Sequence, residues 1–228
     1  QLGIRLTPVL ELKGEYKNSE GDINISLVDS LQKINLTGNF NSIETEPNYN
    51  AKLEFKNINV HDWINDSSAQ SNINGEIFAE GEGTEIEKLN LTSKVKIENS
   101  ELMNRNLDSL ILTGDVSNGN IKSKIKLVSE FGSLDGNFNI VDFENEPQLD
   151  FTLTLKDLNT APILLNDSIP SNINLTAAGY LAGLSPELMQ GDLSLTAGNS
   201  TFMQFPIDTI ISKIKIESGN YSINKFAF

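Results

Sequence analysis

Cysteine is absent from the 228 residues, and histidine and tryptophan occur once each. Without thiols the chain cannot carry a disulfide framework, a cysteine nucleophile or a thiolate zinc site. The lone His61, beside Asp62, supplies neither a catalytic triad nor a metal site. Cations are scarce: 17 Lys and Arg against 31 Asp and Glu give a net charge of −14. That balance excludes nucleic acid as a partner, because phosphates must be met by clustered cations, and disfavours docking on an anionic membrane surface. No apolar run approaches the ~20 residues of a membrane-spanning helix. Gly81-Glu82-Gly83 lacks the third spaced glycine and the lysine of a phosphate loop and reads as a strand bend. The acidic pairs Glu80/Glu82, Glu85/Glu87 and Asp142/Glu144 read as solvated strand faces rather than convergent acid and base. The chain is therefore expected to be non-enzymatic and to need no cofactor or metal. It opens on Gln1 with no leader pattern, so it reads as a piece of a longer protein whose anchor or export signal lies outside it.

Asparagine, by contrast, is abundant, with 28 residues. Sequons follow at Asn24, Asn35, Asn65, Asn90, Asn166, Asn174, Asn199 and Asn220. Most fall inside strand patterns and are read as compositional. Sliding the chain against itself by 100 residues uncovers a repeat: 25 of 100 positions are identical, where composition alone gives roughly seven. Ser71-Asn72-Ile73-Asn74 returns as Ser171-Asn172-Ile173-Asn174, Glu46-Pro47 as Glu146-Pro147, and Asn99-Ser100 as Asn199-Ser200. The organisation expected is a first β repeat over 1–100, a second over 101–200, and the start of a third over 201–228.

Within each repeat the hydrophobic period is two. Tyr49, Ala51, Leu53 and Phe55 alternate with polar residues, as do Ile121, Ile125 and Leu127, and later Phe151, Leu153 and Leu155. Turn formers such as Asn118-Gly119 separate about six strands per repeat. One non-strand segment also recurs, from Asn59 to Asn65 and from Asn159 to Leu165. It predicts a one-turn helix whose Trp63, Ile64, Ile163 and Leu164 plug the sheet end. No long amphipathic helix is available to cover the apolar strand faces, so they must pack as a sandwich, close as a barrel, or line a trough for an apolar ligand. A repeat adding strand after strand suits a rod with an open trough.

Several segments together resemble a known family. They are the strands ending near Gly83 and Gly183, the Asn-Ser pairs at 99–100 and 199–200, and the strands Leu107-Asp108-Ser109-Leu110-Ile111 and Ile207-Asp208-Thr209-Ile210-Ile211. Gly38-Asn39-Phe40, Gly136-Asn137-Phe138 and the run from Leu153 to Asn159 complete the pattern. It resembles the repeat regions of AsmA-like and TamB-like envelope proteins of diderm bacteria. The resemblance implies an all-β protein, a repetitive antiparallel sheet curled into an elongated β-taco groove with one short helix per repeat; a closed β-sandwich is the alternative. It further implies a periplasmic location with an inner-membrane anchor, phospholipid or another acyl-chain lipid as ligand, and an outer-membrane barrel as partner through parts outside this chain. On that reading the groove lining is Leu53, Phe55, Val95, Ile97, Leu110, Ile125, Leu127, Leu153, Leu155, Leu193, Leu195, Ile214 and Ile216. A scaffold or an adhesin-like stalk with a dry core is the competing function. Open edge strands also invite pairing with another copy.

Overall fold

The computed structural model describes residues 9–29, 31–41, 46–64, 69–85, 87–102, 105–164, 166, 168–183, 185, 187–218 and 220–227. Asn65 and Leu165, the ends of the two expected plug segments, lie outside these residues, as does the side chain of Trp63. The chain is all-β, with fourteen antiparallel strands in chain order and two very short helices. It divides into two compact units, residues 1–118 and 119–228.

The first unit holds β1 (Val9–Lys17), β2 (Glu20–Asp29), β3 (Gln32–Asn41), β4 (Asn48–Ile58), α1 (Val60–Ile64), β5 (Ser71–Glu82), β6 (Asn90–Leu102) and β7 (Arg105–Ser117). The second holds β8 (Asn120–Ser129), β9 (Gly132–Val141), β10 (Gln148–Leu158), α2 (Thr160–Ile163), β11 (Ser171–Ala182), β12 (Gln190–Phe202), β13 (Phe205–Glu217) and β14 (Asn220–Ala227). The hundred-residue period is thus physical: β4 over 48–58 reappears as β10 over 148–158, and β5 over 71–82 as β11 over 171–182. The repeat boundaries at 100 and 200 fall inside β6 and β12 rather than in turns, so they mark the period and not the structural seams.

Each strand pairs with the strand before and after it in its unit, and among the described residues the last strand of a unit does not return to its first. Neither sheet closes into a barrel. Neither unit forms a sandwich by itself, because among its described residues no second layer packs on its sheet. Among the described residues the buried apolar side chains are Ala69, Leu107, Pro147, Ala161, Ala177 and Ile216, and no large side chain is completely enclosed. A sandwich of this many alternating strands would bury whole faces of Leu, Ile and Phe.

Short connections hold the order. Asn18 and Ser19 (φ 55° and 64°) form the two-residue turn between β1 and β2, the left-handed geometry that matches strand twist. Gly83 and Gly183 (φ 78° and 81°) end β5 and β11, each donating its N–H to the carbonyl of Pro47 or Pro147 at 2.9 and 3.1 Å. This is the structural reason that Glu-Pro and Gly recur together in the sequence.

Candidate functional site: an uncovered apolar sheet face

Strand register sorts the apolar residues into rows running across each sheet. In the first unit one row reads Leu12, Ile25, Leu36, Leu53, Ile77, Val95 and Leu112 from β1 to β7. A second reads Leu10, Leu27, Ile34, Phe55, Gly75, Ile97 and Leu110. Because directly paired residues point to the same side, both rows lie on one face. Six interstrand spacings of ~4.8 Å make each row roughly 29 Å long. In the second unit Ile125, Gly136, Leu153, Ala177, Leu195 and Ser212 form one row, with Leu127, Leu134, Leu155, Leu175 and Ala197 beside it. Leu193 pairs directly with Ile214, and Ile216 occupies the row beyond.

All thirteen lining residues expected from the sequence therefore sit on the apolar face of their unit. Twelve are only half-buried; Ile216, at 2% exposure, is buried. Sequence reasoning missed Leu36, Ile77, Phe138 and Leu175, which complete the rows, although the same alternation marks them. Ile216→Ala removes the best-packed apolar side chain of the second unit, and we expect it to cost about 2 kcal/mol, the low end for a buried Ile, read as a lower urea midpoint.

Glycines shape this face. Gly21 lies between Tyr16 and Phe40 in register, and a Cβ there would strike the Phe40 ring. Its bareness lets Phe40 lie across β2 and stack on Tyr16, with ring centroids 6.2 Å apart. In the second unit Phe138 stacks on its register partner Phe151 at 6.4 Å.

The opposite face is polar and internally paired. Lys52 on β4 bridges Glu54 at 2.9 Å and Glu76 on β5 at 3.2 Å. Hydrogen bonds donated to Glu54 and then to Glu76 hold the Lys52 amine above its ordinary pKa, and the hydrogen bond that Glu54 accepts from Lys52 holds its carboxyl below its own. For a depressed carboxylate the associated stability is present at neutral pH and is lost as the pH falls through the folded-state value. These groups are solvent-exposed, so the effect is small. A depression of about 690 Å³ opens on this face among Lys33, Glu54, Lys56, Glu76, Lys96 and Glu98, whose charges offset one another. Among the described residues no group of three or more His, Asp or Glu could hold a metal. Asp142, one of the acidic pairs, is instead satisfied locally: the Asn145 side chain donates to it at 2.8 Å and lowers its pKa.

The plug expectation needs correction. The helices form where expected, and the Asn159 side chain caps α2 by accepting from the Ala161 N–H. Yet Ile64, Ile163 and Leu164 are 60%, 52% and 59% exposed and shield little of the sheet. With one helical turn there is room to bury only a small residue, and that residue is Ala161.

The repeated polar motifs have a structural role. Ser-Asn-Ile-Asn and Asn-Ser build a β-bulge clamp, present in both units. Ser100 Oγ accepts the Asn74 N–H at 2.9 Å and lies within donating reach of the carbonyls of Glu98 (3.0 Å) and Asn74 (3.3 Å). Ser200 repeats these contacts with Asn174 and Gly198 at the same three distances. The Asn74 amide donates to the Asn99 carbonyl, while its Oδ1 takes the Asn57 N–H at 2.8 Å. Asn57, Asn99, Asp157 and Asn199 all have positive φ, which suits Asn and Asp. The pairing shifts register at these points in both units. Comparison with known proteins finds no matching family, no matching curated protein and no matching solved structure.

Proposed function

We propose that the apolar sheet face shelters the acyl chains of a lipid, making this chain a non-enzymatic segment of an envelope protein that passes phospholipid between the two membranes of a diderm bacterium. The observation that carries this reading is a face of rows rich in Leu, Ile, Val and Phe that stays only partly buried, with no helix or second layer over it among the described residues of its own unit. Soluble proteins do not keep so large an apolar patch bare without using it. A ~16-carbon tail released into water costs on the order of 12 kcal/mol, at ~0.8 kcal/mol per CH₂, and contact with these rows removes much of that penalty without any reactive group. The resemblance to AsmA-like and TamB-like repeats supports the same location and ligand class. The acidic, ion-paired opposite face suits contact with water. Organic extraction of protein purified without detergent, followed by mass spectrometry, is expected to release phospholipid near stoichiometrically with folded chain. Folded protein free of lipid sinks the proposal.

A further inference from the structure

We propose that Asn74 is a latent deamidation site: the bulge clamp of the first unit keeps it intact, and whenever the clamp opens it converts irreversibly to aspartate or isoaspartate. The inference rests on the clamp and is independent of the lipid reading. Of the two Asn-Gly pairs in the sequence, Asn118-Gly119 lies in a turn at positive φ, whereas Asn74-Gly75 lies inside strand β5. Two separate structural demands place it there. Asn74 serves the clamp: its N–H donates to Ser100 Oγ, its Oδ1 accepts the Asn57 N–H, and its amide nitrogen donates to the Asn99 carbonyl at 3.1 Å. Gly75 serves the apolar face. It lies in register between Phe55 and Ile97, and a Cβ there would strike the Lys96 carbonyl and crowd the Phe55 ring at 3.0 Å. The second unit keeps the clamp but trades the sizes: Leu155, Leu175 and Ala197 stand where the first has Phe55, Gly75 and Ile97. Asn174 makes the same contacts as Asn74, with Ser200, Asp157 and Asn199, yet it is followed by leucine.

The reaction is intramolecular. The Gly75 backbone nitrogen attacks Asn74 Cγ, the bond from Cγ to Nδ2 breaks, and Nδ2 leaves as ammonia with the proton lost from the Gly75 amide. The succinimide then takes up one solvent water and opens at either carbonyl, giving aspartate or isoaspartate. Glycine at the attacking position has no side chain to crowd the ring, and its backbone reaches the closing geometry more often. Leu175 hinders both. The step needs the attacking nitrogen beside Cγ, so the side chain must be free to swing over the backbone. In the folded unit the Asn74 amide is fixed at both ends, to Asn57 and to Asn99, and Gly75 is held between its register partners. Opening the clamp releases both halves of the pair. The product cannot rebuild it. A carboxylate at position 74 still accepts from Asn57, but it sets an acceptor, in place of a donor, against the Asn99 carbonyl.

The test follows both asparagines by peptide mapping and mass spectrometry of protein kept for weeks in mildly alkaline buffer, either folded or unfolded in urea. Asn74 should convert at least about tenfold faster in unfolded than in folded protein, a ratio that reads how seldom the clamp opens. In urea, Asn174 should convert at least about tenfold more slowly than Asn74, because only Asn74 precedes glycine. Ser100→Ala, shown to be folded by circular dichroism, should speed conversion of Asn74 in native buffer several-fold. Asn74→Asp installs the product and reads its consequence without that variant: the urea midpoint should fall, and Asn174→Asp should lower it as much, since the two clamps match contact for contact. Equal rates at Asn74 in folded and unfolded protein, equal rates at Asn74 and Asn174 in urea, no acceleration in folded Ser100→Ala, or an Asn74→Asp midpoint matching the wild type each overturns the proposal.

Discussion

Replacing Leu53 and Leu153 with glutamate is expected to leave both units folded while stripping the protein of bound lipid. The two leucines are repeat equivalents in the middle of their rows, Leu53 between Leu36 and Ile77 and Leu153 between Gly136 and Ala177. Both are half-buried on a face that no layer covers among the described residues of their own unit. A glutamate there can turn its carboxylate to water, so the stability lost is mainly the leucine's own packing, about 1–2 kcal/mol per site. In a closed core the same change would strand an unpaired charge at a cost of about 3–5 kcal/mol each, and the double variant would not fold. The effect on ligand is the reverse. An acyl chain laid along the row must either displace the carboxylate or desolvate it, and extractable lipid should fall at least tenfold. Circular dichroism and urea titration read the first outcome, and mass spectrometry of the extract reads the second. Loss of fold at either single site means that the face is covered; lipid retained at the wild-type level means that it binds elsewhere.

What the sequence discloses of this molecule follows from which physical rule each residue obeys. Alternation is a local signal, so the strand faces were legible: Leu53, Val95, Leu153 and Ile214 all lie on the apolar side. The period of 100 was legible because repeated turns need repeated residues, as Pro47 with Gly83 and Pro147 with Gly183 show. Whether the faces were covered was not legible, since alternation is the same in a sandwich and in an open sheet; burial decides it. The plug was misjudged because bulky residues in a short segment suggest packing, whereas a single turn gives Ile64 and Ile163 little to pack against. The small positions of the apolar face were also hidden. Ala51, Ala79 and Ser93 lie in one row of the first unit, yet their counterparts in the second include Phe151 and Leu193, with smallness displaced to Gly136, Ala177 and Ser212. Large and small residues trade places between adjacent rows, and identity scoring between repeats reads that exchange as mere divergence.

The most repeated polar residues yield the largest expected loss of stability. Ser100 and Ser200 are among the few buried polar side chains, at 5% and 3% exposure. Each supplies the acceptor for an N–H that the bulge has removed from the strand ladder, that of Asn74 or Asn174. Ser→Ala at either site leaves that N–H without its acceptor, and water must be admitted to the bulge or the register shift abandoned. A buried unsatisfied donor costs about 1–3 kcal/mol. The two serines lie in different units and share no partner, so the effects should add. Ser100→Ala with Ser200→Ala is then expected to lose about 2–6 kcal/mol, a large part of the stability of an ordinary domain. Ser→Thr keeps the oxygen and should recover most of the loss, which separates the hydrogen bond from mere volume. If urea midpoints of the alanine variants match the wild type, the bulge is held by Asn57 and Asn74 without the serine. If alanine and threonine variants fall equally, the site is limited by space rather than by the missing acceptor. The expected order, wild type above threonine and both well above alanine, would make the Asn-Ser pairs the fastener that sets each repeat's bend in register, which is why they recur at 99–100 and 199–200 while the residues around them drift.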